Sequence, residues 1–163
     1  MEKILKIENK TQEKFLRKKT KDFDFSNYSR QEVADLVARM RATMEEANGI
    51  GLAANQIGLD FKMFVAKWDD KFYAVFNPSL ENPSKEKEVI EEGCLSIPGQ
   101  YGEVKRPAGV TLVGQSATGK KLKVKAWDML ARIFQHEVDH LNGKLYTDRM
   151  GRRARLRQLS ESK

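Results

Sequence analysis

The sequence predicts an α+β fold: antiparallel β-sheets packed around a central helix carrying His136-Glu137-Val138-Asp139-His140, with an N-terminal helix and a short basic C-terminal segment. Three observations lead there. Apolar residues recur at helical spacing in two stretches, one on either side of the middle of the chain. Between them lie short runs rich in β-branched and aromatic residues, bounded by turn residues. No repeat, linker or low-complexity tract divides the 163 residues. A chain of this length buries about 70% of its unfolded surface, so one unit spanning 1–163 is expected, with 149–163 as a basic tail that can be helical.

The first helix is expected after Ser29 or Asn27 as cap, because Val33, Leu36, Val37, Met40, Met44 and Ala47 fall on one face, and Asn48-Gly49 stops it. The apolar, glycine-flanked segment 50–58 suits backbone lying close to something. Runs 61–66 and 72–76 read as a hairpin across the polar turn 67–71, and Asn77-Pro78 is expected to end the second. After a charged loop come 87–91, the segment around Cys94, a turn at Pro98-Gly99, and strands 110–113 and 121–126 joined at Gly119-Lys120. The last alternates as a half-exposed strand should. From about 127 to 141 the period is helical again, with Leu130, Ile133, Phe134, Val138 and Leu141 apolar, and Asn142-Gly143 as the stop.

Hydrophobic residues at 40% and charged residues at 33% place the chain among globular proteins, and no apolar run is long enough to span a bilayer. The first eight residues lack the apolar core of a signal peptide, so a cytoplasmic setting is expected, without membrane association. A net charge of +7 fits a lysine-rich solvated surface or a contact with nucleic acid. Positive charge is densest over 149–157, a segment that could touch RNA phosphates or simply fray.

The only two histidines, His136 and His140, stand four residues apart. On a helix both imidazoles share one face and can grip one metal ion. The sole cysteine, Cys94, is the candidate third ligand, since three protein ligands leave a position for water, as catalytic rather than structural sites do. A thiolate with two neutral imidazoles suits zinc or ferrous iron. Glu137, between the two imidazoles, is better placed beside such a water than on the ion, as a proton acceptor and donor in hydrolysis. The bland alternatives are histidines satisfying core hydrogen bonds and a cysteine acting as a small buried apolar group. Glu92 and Asp139 read either as solvated charges or as carboxylates contacting a histidine or arginine.

Three stretches together resemble the peptide deformylases, the enzymes that remove the N-formyl group from new proteins: Gly49-Ile50-Gly51-Leu52-Ala53-Ala54-Asn55-Gln56, Glu92-Gly93-Cys94-Leu95-Ser96 and Gln135-His136-Glu137-Val138-Asp139-His140. Their order and spacing match the family, and the similarity extends through Asp148-Arg149. The resemblance implies that Cys94, His136 and His140 bind one divalent ion, Fe2+ in many members and Zn2+, Ni2+ or Co2+ in others. It implies Glu137 as general acid and base, with the Gln56 amide and the Leu95 N–H holding the oxyanion. Backbone at Ile50, Gly51 and Gly93 would pair with an extended substrate. An apolar pocket for methionine would be walled by Ile50, Ile90, Met129, Ile133 and the His136 ring, though such aliphatic residues also serve as plain core.

The implied partners are N-formylmethionyl peptides and nascent chains, with formate released, a ribosome contact through the basic C-terminus, and a monomeric enzyme. Segment 7–16 lacks the proline common near the family's N-terminus. Trp127-Asp128-Met129 stands where glycine is common, and Arg132 places a long cation one turn before His136, within reach of the pocket rim. Two rival readings have distinct signatures. An ordinary zinc metallopeptidase takes its third ligand downstream, but no histidine follows His140. An RNA- or ribosome-binding protein with a structural metal fits the arginines but leaves Glu137 idle.

Overall fold

The computed structural model describes residues 2–151 and, beyond them, the backbone of 157–158. Among the described residues, three α-helices, α1 (Lys10–Leu16), α2 (Arg30–Glu46) and α3 (Asp128–Leu141), accompany eight strands. These are β1 (Gly51–Ala53), β2 (Met63–Trp68), β3 (Lys71–Glu81), β4 (Lys87–Cys94), β5 (Ile97–Pro107), β6 (Gly109–Gln115), β7 (Lys121–Trp127) and β8 (Arg157–Gln158). One sheet runs β1-β2-β3-β6-β7 and a smaller one β4-β5-β8, with every pairing antiparallel.

The larger sheet is covered on both faces, which explains why 63–66 is a continuous apolar run rather than an alternation. Met63 and Val65 pack with Val33, Leu36, Met40 and Met44 of α2, whereas Phe64 and Ala66 pack with Ala131, Phe134, Val138 and Leu141 of α3. At the head of α2, Ser29 and Glu32 form a reciprocal capping box: Ser29 N–H donates to Glu32 Oε2 (2.7 Å) and Glu32 N–H to Ser29 Oγ (3.2 Å). A third apolar cluster, Ile97, Val104, Leu145 and Tyr146, joins the smaller sheet to the chain that leaves α3. The site therefore lies where α3 is flanked by both sheets.

Several elements differ from expectation. Helix α1 had no helical signature, because seven residues hold too few apolar side chains for a period; Asn9 caps it by accepting from the N–H groups of Thr11 and Gln12. Asn77-Pro78 does not end β3. Asn77 takes φ 49° and the register shifts between Phe76 and Ser79, so the strand passes its proline through a bulge and resumes. Pro98-Gly99 lies inside β5, and the turn falls at Leu95-Ser96 instead. The hairpin of β2 and β3 closes on Asp69-Asp70 alone, at φ 52° and 60°. Of the basic tail, 152–156 and 159–163 lie outside the described residues; Arg157–Gln158 is extended and pairs with Gln100-Tyr101, not helical.

Candidate metal and catalytic site

Cys94 closes β4, and His136 and His140 sit one turn apart on α3. The three candidate ligand atoms lie within 4.8 Å of one another. Cys94 Sγ is 3.2 Å from His140 Nε2, which is 3.2 Å from His136 Nε2. Glu92 accepts from His136 Nδ1 at 2.9 Å, so the Nε2 lone pair of that ring turns toward the sulfur. Burial alone would raise the Cys94 thiol, but the charge of His140 and hydrogen bonds from both imidazoles outweigh it and bring the thiol down to about 5. Lone pairs of a thiolate and two neutral imidazoles aimed at one another repel unless protons or a metal cation lie among them. The donor set fits a divalent ion of the zinc or ferrous kind.

Glu137 is buried at 3% exposure, and its Oε2 has no protein partner among the described residues. Burial pushes its carboxyl up to about 6 against the pull of both imidazoles. It lies under β1 because residue 51 is glycine: a Cβ at Gly51 would run into the Glu137 carboxylate. Gln56, in the turn after β1, is buried; its Oε1 accepts from Ala53 N–H (2.9 Å), and its Nε2 donates to Ser96 Oγ (3.1 Å) and Cys94 Sγ (3.6 Å).

A cavity of about 630 Å³ opens onto this group. Ile50, Gly51, Gly93, Leu95, Met129, Ile133 and His136 line it together with Cys94, Gln56 and Glu137. Ile90 does not line it, being half-buried further back along β4. Ile50 is 47% exposed at the mouth, so apolar surface faces solvent where an extended chain could enter.

Glu92 and Asp139 are not solvated charges. Arg106 from β5 donates to both Glu92 oxygens (2.6 and 3.0 Å) and to Asp139 Oδ2 (2.7 Å), while Arg149 holds the other side of Asp139 (2.7 and 3.1 Å). Burial alone would raise Glu92, but His136 and Arg106 hold its carboxyl well below the usual carboxylate range. Arg132 does line the cavity, as expected, but not as a free cation. Its guanidinium is buried, donating to Glu92 Oε1 (2.8 Å), the Val104 carbonyl (2.7 Å) and the Glu88 carbonyl (2.9 Å). Arg106 and Arg149 escaped the sequence reading, since nothing in spacings of 14 and 10 residues from their carboxylates signals a pairing.

A thiol and two imidazoles that could hold one ion, with a buried carboxylate and an open cavity beside them, form the kind of arrangement that catalytic mononuclear metal sites use. The family model described as polypeptide deformylase matches residues 1–156, and the chain belongs to the peptide deformylase family, which is metal-dependent. A peptide deformylase of Roseiflexus castenholzii is 35% identical over 175 residues, covering 97% of this chain and 93% of that protein. Peptide deformylase 1 of Streptomyces avermitilis is 41% identical over 142 residues, 80% of this chain; the match spans just under two thirds of that relative, 66%. The crystal structure of peptide deformylase from Thermotoga maritima superposes with a TM-score of 0.84 at 34% identity, covering 93% of this chain and 98% of that one.

Proposed function

We propose that this protein is a metal-dependent amide hydrolase that removes the formyl group from the N-terminal methionine of newly made chains, releasing formate. The observation that carries the reading is the convergence of Cys94, His136 and His140 beside the buried, half-unpartnered carboxylate of Glu137, in a chain of this family. Cys94, His136 and His140 would hold one divalent ion, Fe2+ in the cell, with Zn2+, Ni2+ or Co2+ able to replace it. When bound, such an ion supplies Lewis acidity to the carbonyl and lowers the pKa of its water.

Glu137 takes the proton of the attacking water and hands it to the departing amine. A carboxyl pushed up to about 6 is suited to both acts near neutral pH. Gln56 turns an amide hydrogen now on Ser96 or Cys94 toward the carbonyl oxygen, and the Leu95 N–H supplies a second donor. Backbone groups of Ile50, Gly51 and Gly93 pair with the extended peptide, and Ile50, Met129, Ile133 and the His136 ring receive the methionine side chain. Selectivity in this reading is steric: the position beside the ligands takes a formyl hydrogen and refuses an acetyl methyl.

The reading takes 1–163 as a single catalytic unit acting as a monomer. Among the described residues, no helix is long and apolar enough to cross a membrane. A free thiolate ligand fits the reducing cytoplasm, where nascent chains emerge, and the basic tail over 149–163 supports contact with the ribosome. The test is formate release from a formylmethionyl peptide by anaerobically purified protein, with metal analysis. Glu137→Gln should retain the ion and lose at least about 10²-fold in turnover. Equal turnover by that variant would defeat the assignment, and equal rates on formyl and acetyl peptides would defeat the steric account.

A further inference from the structure

The three ligands assigned above belong to two separate elements, so the site needs something to hold β4 against α3. Strand β4 is poorly placed to hold itself. Among the described residues it is an edge strand, paired in the sheet only with β5, and its register with β5 shifts between Gly93 and Cys94, at the ligand. The main-chain ladder therefore loses regularity where the sulfur must be set.

We infer that Arg132 is a positioning residue for the metal site, clasping β4 and β5 to the helix that carries both histidines. Its guanidinium donates to the main-chain carbonyls of Glu88 on β4 and Val104 on β5, and to the Glu92 carboxylate that holds the His136 ring. Because Arg132 stands one turn before His136, the two share a face of α3. A planar fork with several fixed N–H directions can span three acceptors on two strands; an ammonium is a point charge on a flexible stem, without that geometry. Arg106 also neutralises Glu92, through two hydrogen bonds, so what Arg132 adds is spacing rather than charge alone.

The inference rests on Cys94, His136 and His140 being the ligands, and the test separates the two. Cobalt-loaded parent protein is challenged with excess chelator, and the rate of metal loss and the thiolate-to-cobalt absorption band are followed in the parent, Arg132→Met, Arg132→Lys and the exposed-site control Arg30→Met. Arg132→Met should lose cobalt about 10- to 100-fold faster with a displaced band, Arg132→Lys should fall between, and Arg30→Met should match the parent. If Arg132→Met does not fold, Arg132→Lys decides on the same two readouts. Metal loss within twofold of the parent with an unchanged band, even in a less stable variant, overturns the clasp. A parent that takes up cobalt but shows no thiolate band, or takes up none, overturns the ligand assignment and the inference with it.

Discussion

The two long faces of α3 are built on opposite principles. On one, Ala131, Phe134, Val138 and Leu141 press into the larger sheet among Phe64, Ala66, Val75, Leu112 and Ala126, with no charge in the cluster. On the other, Arg132, His136 and Asp139 meet Glu92 and Arg106 in a buried alternation of positive and negative groups. The first contact is non-directional and tolerates any side chain of about the right volume. The second depends on angles, and losing one member strands another charge in a dry place. One helix thus combines a forgiving attachment with an exacting one, and the exacting one faces the ligands.

The largest effect should come from breaking the ionic side. Arg106→Met leaves Glu92 without its bidentate partner and should cost about 3–5 kcal/mol of stability in urea unfolding of the metal-free protein. A cost below about 1 kcal/mol would mean that the buried pairs add little beyond shape. Next comes the short edge between the two faces, where Glu137 lies under β1. Gly51→Ala forces the carboxylate aside and should lower turnover about 10²-fold, while circular dichroism stays that of the parent. Turnover near the parental value would place Glu137's function elsewhere.

The apolar face should yield much less. Phe134→Leu, at a fully buried ring, should cost about 1.5 kcal/mol, and a loss as great as that of Arg106→Met would erase the contrast. The smallest change is a gain at the helix entrance. Asp128 begins α3 at φ 54°, the left-handed region that glycine occupies without a Cβ penalty. Asp128→Gly should stabilise the protein by about 0.5 kcal/mol after the added freedom of the unfolded chain is counted, read as a small rise in Tm. A fall in Tm would show that the aspartate's charge in the first helical turn outweighs its strain.

Much of the ligand set was legible because it is local. His136 and His140 are one helical turn apart by chain chemistry alone, and the apolar period from Leu130 to Leu141 guarantees the helix that makes the spacing meaningful. The capping residue Ser29 and the stops at Asn48 and Asn142 were legible for the same reason, each acting within a few residues. Strand β5 was not, since Gly99, Gly102 and Pro107 interrupt it and its pairing with β4 follows from position rather than propensity. Nor was the role of Arg132: its sequence position is one turn from a ligand, yet its acceptors lie 28 to 44 residues away.

Chain chemistry by itself therefore settled the helix, the histidine pair, the cysteine available to them and the apolar runs that become strands, since all of these depend on neighbours within a turn or a pleat. Tertiary structure alone decided that Cys94 meets the histidines, that Glu137 fits beneath a glycine, and that the charges at 92, 106, 132 and 139 bury each other. Those outcomes depend on distant segments being desolvated together, and the energy of a charge is set by what surrounds it, not by what precedes it.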